Sequence, residues 1–132
     1  MKLYVREPGT DETRARLDDA SMVATSRVAY PEARAALARR QREGGIVRAA
    51  LPRIVSALDR DLERFVVVEL SAKLARRAGE LAELRALRGF DAIHLASALE
   101  VDELVGLVPG FWCYDERLRE AAVAEGLPTA WR

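Results

Sequence analysis

Cysteine and histidine occur once each in this sequence, as Cys113 and His94. No internal disulfide can form, which fits a reducing cytoplasm, and no multi-Cys or Cys/His zinc site can be assembled. Lysine is nearly as scarce. Lys2 and Lys73 are the only two, so the positive charge is almost entirely arginine. A basic excess is also missing, because 21 Lys and Arg balance 21 Asp and Glu. Nucleic-acid binders draw much of their affinity from phosphate neutralisation. Any nucleic acid bound by this chain must therefore be gripped locally or with the help of a second subunit. No apolar run approaches the roughly 20 residues that cross a bilayer, and the opening residues do not form a secretory signal. Repeats, low-complexity stretches and linkers are absent as well.

What remains is a composition suited to folding. Of the 132 residues, 50% are apolar and 32% charged, enough for one core under a wet surface and too ordered in pattern for a disordered or fibrous chain. The expectation is one domain over residues 1–132.

The pattern alternates strands and helices. Residues 2–6 read as the end of a helix stopped by Pro8-Gly9. Thr10 is placed to cap a second helix, with Asp11 and Glu12 in its first turn. Met22 to Thr25 reads as a buried strand. Pro31 then sits in the first turn of a helix running to Arg42. Ile46, Ala50, Ile54, Leu58 and Leu62 form an i, i+4 ladder, a helix with Pro52 as a kink. Phe65 to Val68 is an apolar, β-branched strand of the kind buried in parallel sheets. Helices follow over Ser71 to Arg88 and Asp91 to Glu100. Short strands are expected at Leu104 to Val108 and Phe111 to Tyr114, then a helix over Glu116 to Glu125 and an edge strand near Thr129. The order argues for an α/β domain with a mainly parallel central sheet.

Ligands of such sheets bind beyond the carboxyl ends of the strands. Three carboxylates lie at strand–helix junctions there: Glu32, Asp91 and Asp115. A lone acid at a helix start serves more often as a cap or first-turn acid than as a ligand. If the three converge, each pair of charges ~5 Å apart repels by roughly 3 kcal/mol at an effective dielectric near 20. A hard divalent ion such as Mg²⁺ or Mn²⁺ removes that penalty and prefers oxygen ligands. It also acidifies water and orients it toward phosphorus, which points to phosphodiester hydrolysis. Arg27 and Arg117 flank acidic positions, where they are surface residues or phosphate contacts. His94 follows Asp91 by three residues on the same helix face and reads as a hydrogen-bonding helix-interface residue, with a metal or general-base role as the alternative. Trp112 and Trp131 read as core or interface anchors.

Three segments together carry a resemblance. Ser26 to Leu37 reads Ser-Arg-Val-Ala-Tyr-Pro-Glu-Ala-Arg-Ala-Ala-Leu, and Arg88 to Leu99 reads Arg-Gly-Phe-Asp-Ala-Ile-His-Leu-Ala-Ser-Ala-Leu. Cys113 to Leu118 reads Cys-Tyr-Asp-Glu-Arg-Leu. In order and over nearly the whole length, the chain resembles the PIN-domain nucleases, and within them the VapC-type toxins of bacterial toxin–antitoxin pairs. The resemblance implies a three-layer α/β/α domain and an acidic, Mg²⁺-dependent ribonuclease site. It also implies structured RNA such as tRNA or rRNA as substrate, a cognate antitoxin as partner, and a homodimer. Glu32, Asp91 and Asp115 match the second, third and fourth acids of the family pattern. Cys113 stands where relatives often carry Thr or Ser. Relatives begin with a strand ending in a further metal-binding Asp. Met1 here matches a point inside the first helix, so the expectation is a chain without that strand and ligand, either from a late start codon or from gene decay. The rival is then an inactive remnant that only binds antitoxin or dimerises. A receiver-like phospho-acceptor domain also groups acids around Mg²⁺, but neither Lys2 nor Lys73 lies where it needs one.

Overall fold

A computed structural model describes residue 4 and residues 8–106 and 110–129. The chain forms two compact units, one from residues 1–23 and 29–67, the other from residues 24–28 and 68–132.

In the first unit, α1 (Thr10–Asp19) starts behind Gly9, whose φ of 90° is left-handed backbone that glycine adopts without strain. Thr10 is therefore the first helical residue and not the cap. The Thr13 hydroxyl instead donates back to the Gly9 carbonyl at 2.7 Å. α2 (Ala29–Arg42) has Pro31 and Glu32 in its first turn and three arginines in its last, as the dipole favours. A 3₁₀ turn (Arg48–Ala50) leads into α3 (Leu51–Arg64), with Pro52 inside the opening turn. Pro52 thus begins this helix and does not kink it, because its missing N–H costs nothing there. Leu37, Ile46 and Leu58 are buried together, with Ile54 and Leu62 packed beside them. The i, i+4 ladder on α3 supplies one wall of this small core.

The strands are shorter than the apolar runs suggest. β1 is Ala24–Ser26, which starts two residues and ends one residue later than Met22–Thr25, and β2 is Val66–Val68. They form a two-stranded sheet. Val66 N–H donates to Val23 O at 2.8 Å, and Arg27 N–H donates to Val68 O at 2.9 Å. Both run in the slanted sense of a parallel pair.

The second unit holds the larger core. α4 (Ala72–Arg85) is capped by Ser71, whose Oγ accepts the Leu74 amide at 3.1 Å. It ends at Arg85 and not Arg88, because Ala86 turns left-handed at φ 52° and releases the chain. α5 (Gly89–Val105) is seven residues longer than its apolar pattern predicts, two at its start and five at its end, and Gly106 at φ 80° terminates it. Leu104 and Val105 belong to this helix, so a strand does not start at Leu104; residues 107–109 lie outside the described part. α6 (Glu116–Ala124) follows. Leu74, Ala78 and Leu81 of α4, Ala92, Leu95, Ala96 and Leu99 of α5, and Leu118, Ala121 and Ala122 of α6 share one apolar cluster. Alanines on the facing sides let the backbones approach, and a Leu→Ala change at Leu95 is expected to cost about 2–5 kcal/mol. Among the described residues, Phe111 to Tyr114 contributes a single parallel bridge, Phe111 with Thr129, and not a strand. The remainder of the expected edge strand lies outside the described residues, as do most of residues 2–6. Among the described residues, six α-helices and two parallel strands give an α/β fold. Among the described residues no helix is long and apolar enough to cross a membrane.

Candidate active site

Two helix starts build the site. Arg88 occupies the N-cap of α5 in extended conformation, which places Asp91 at the third helical position. Asp91 is thus not the cap residue. Asp115 is the N-cap of α6, and its Oδ1 accepts the Leu118 amide at 2.8 Å. The capping reading is correct for Asp115, yet the cap occupies only one of its two carboxylate oxygens. Both aspartates line one cavity of about 420 Å³, together with Arg88, Glu116, Arg117 and Glu120. The partial positive charge of the two helix N-termini favours anionic groups at this place.

Cys113 registers the same convergence. Its thiol is pushed up to about 11, first by burial, then by the Asp115 charge, with Asp91 adding to the shift and Arg119 opposing it. The fields of both carboxylates therefore reach one sulfur. Sγ also donates to the Asp115 carbonyl oxygen at 3.7 Å. Cys113 is not part of the cavity lining, whose acidic residues offer oxygen donors.

Glu32 lies half-buried in the first turn of α2, within the first unit, as its spacing after Pro31 predicts. His94 is half-buried on α5 and is not part of the cavity lining. Arg27 does not wait for phosphate: its guanidinium grips both oxygens of Glu69, with Nε at 3.0 and 3.1 Å. Arg117 does line the cavity. Trp112 is half-buried with its ring 6.2 Å from that of exposed Tyr114, while Trp131 lies outside the described residues. The sequence reading missed Arg88, Glu116 and Glu120. Helical register was the available signal: Arg88 precedes Asp91 by three residues, and Glu120 follows Glu116 by four.

Among the described residues no three His, Cys, Asp or Glu side chains are gathered closely enough to enclose a metal ion. Two carboxylates at one cavity nevertheless suit Mg²⁺, which is commonly held by one or two carboxylates and completed by water and substrate phosphate. The donor set fits a hard divalent cation.

A family model for the PIN domain matches residues 1–123. Ribonuclease VapC45 of Mycobacterium tuberculosis (strain CDC 1551 / Oshkosh) is 41% identical, across 98% of this chain and 88% of its own length. Ribonuclease VapC49 of Mycobacterium tuberculosis (strain ATCC 25618 / H37Rv) is similar to the same extent.

Proposed function

The chain belongs to the PIN domain family, and from that premise we propose that it is a VapC-type ribonuclease that hydrolyses RNA phosphodiester bonds and is neutralised by a cognate antitoxin. The observation that carries the reading is the shared cavity of Asp91 and Asp115, residues far apart in sequence at two helix starts. A site of paired carboxylates without an activated serine or cysteine suits attack by water on phosphorus. Cys113 is unsuited as a nucleophile, since burial and both aspartates keep it a thiol.

Asp91 and Asp115 are the residues that would hold Mg²⁺ or Mn²⁺, with Glu32 assigned to the same role on its place in the family's acidic pattern alone. When bound, the ion supplies charge neutralisation and Lewis acidity toward phosphate and water. Asp115 is held in place by its cap hydrogen bond, so its carboxylate reaches the cavity with little rotamer freedom left to lose. Asp91 is fixed by the rigid first turn of α5. The leaving 3′ oxygen takes up a proton, giving a 3′-hydroxyl and a 5′-phosphate. The proposed setting is a single domain over residues 1–132, working in the cytoplasm as a homodimer on structured RNA such as tRNA or rRNA.

Asp91→Asn tests the assignment. It keeps the size of the side chain and removes its charge. Mn²⁺-stimulated RNA cleavage is expected to vanish while the circular dichroism spectrum and unfolding midpoint stay put. Cleavage by the Asn variant at the parent rate would reject the site, and absence of cleavage by the parent would favour a protein that only binds its antitoxin. Glu32→Gln, measured in the same way, decides whether the third acid belongs with the other two.

A further inference from the structure

The cavity has a charge problem. Four carboxylates and two guanidiniums line it, and Arg119 pairs with one of those acids, Glu116, which leaves an excess of one negative charge. An RNA backbone approaching that surface is repelled unless something beside the acids attracts it. One divalent ion offsets the local excess, but the chain as a whole carries no net positive charge to draw a polyanion in.

Among the described residues, four other arginines of the second unit are already engaged, and Arg76 of α4 lies outside the cavity lining. Arg27 pairs with Glu69, Arg77 with Glu103 at 2.7 Å, Arg85 with Glu125 at 2.8 Å, and Arg119 with Glu116. Arg88 and Arg117 differ. Both are exposed and both line the cavity, and among the described residues neither makes a side-chain hydrogen bond or ion pair. One stands at the N-cap of α5, the other in the first turn of α6. They therefore flank Asp91 and Asp115 in sequence and share their cavity.

We infer that Arg88 and Arg117 are the phosphate-gripping residues of this site, holding backbone phosphates beside the scissile linkage of a single-stranded stretch of RNA. The inference rests on the ribonuclease reading for the identity of the strand, not for the grip itself. A guanidinium offers two parallel N–H donors to a phosphate, a stronger and better-oriented hold than an ammonium. Gripping the backbone positions the strand without reading bases, so the pair serves all sequences equally. It also reconciles a neutral chain with a polyanionic substrate, because the attraction is concentrated at the two helix starts that carry the acids. These are positioning residues. They act on substrate binding and not on the water that attacks.

The test uses a fluorescein-labelled 12-nucleotide RNA of mixed sequence and the full chain in Ca²⁺, with anisotropy read across a salt series. Each of Arg88→Ala and Arg117→Ala is expected to weaken binding about tenfold and to lower the slope of log Kd against log salt by about 0.7. Arg88→Lys and Arg117→Lys are expected to keep the slope and recover only part of the affinity, which a merely structural role does not produce. In cleavage assays KM should rise with kcat little changed. Where an alanine variant loses its cooperative unfolding transition, Arg→Gln at the same position takes its place. A double variant with the parent's Kd and slope overturns the assignment, even if the parent cleaves RNA. Absence of cleavage by the parent overturns the ribonuclease reading instead, and the salt slope still decides the two arginines.

Discussion

Oδ1 of Asp115 accepts the Leu118 amide at 2.8 Å, so one carboxylate both caps α6 and lines the cavity that Asp91 shares. Two substitutions separate these duties. Asparagine caps a helix about as well as aspartate but carries no charge, whereas alanine does neither. Asp115→Asn should leave chemical-denaturation stability within a few tenths of a kcal/mol of the parent and abolish RNA cleavage. Asp115→Ala should abolish cleavage and also lose about 1 kcal/mol of stability. Full cleavage by the Asn variant would mean that the residue is a cap alone.

The parts legible in the sequence were those set by local chemistry. The β-branched run at Val66 to Val68 and the acids following Gly89 and Tyr114 stand where short-range rules put them, whereas Ser71 was read as helical and is the cap of α4. The misreadings came where a local signal was ambiguous. Pro52 sits within an i, i+4 ladder, and only the 3₁₀ turn before it shows that the ladder spans two pieces. α5 is apolar on most of its surface, so no amphipathic edge marks its end. Leu104 and Val105 read equally well as a strand until Gly106 fixes the terminus. Ala86 was invisible because nothing in its identity announces a left-handed turn. At the site, the search for acids found Asp91 and Asp115 but passed over Arg88, whose place depends on where α5 begins.

Cys113 provides a reporter of the site's charge that needs no substrate. Its thiol is raised to about 11, by burial first and then by Asp115 and Asp91. The folded value lies above the unfolded one. The stabilisation is therefore complete below the ordinary thiol range and is lost as pH rises toward 11. At pH 8 about one thiol in a thousand is ionised by that value, so alkylation by iodoacetamide should be far slower than for a free cysteine. Removing either negative charge lowers the thiol's pKa. Asp91→Asn and Asp115→Asn should each speed alkylation, the second more than the first. Equal rates in the parent and both variants would show that the two carboxylates do not act at one place.

Two ion pairs of the second unit have the same chemistry and different surroundings, which makes their energies separable. Arg85 and Glu125 join the last turn of α4 to the end of α6, with Nε and a terminal nitrogen at 2.9 and 2.8 Å from one oxygen. Their side chains are only 30% and 22% exposed. Arg27 and Glu69 make more contacts, including both carboxylate oxygens, yet are 52% and 67% exposed. By contact count alone the second pair should dominate. Water and salt screen exposed charges, however, and holding two long side chains in one geometry costs entropy. The partly enclosed pair is also tied to two helix ends that are already packed, so less freedom is lost in forming it. A double-mutant cycle with alanine should therefore give a coupling of about 1 kcal/mol for Arg85 with Glu125 and no resolvable coupling for Arg27 with Glu69. The first coupling should persist in 0.5 M salt. A larger coupling at the exposed pair would mean that its bidentate geometry outweighs solvent screening.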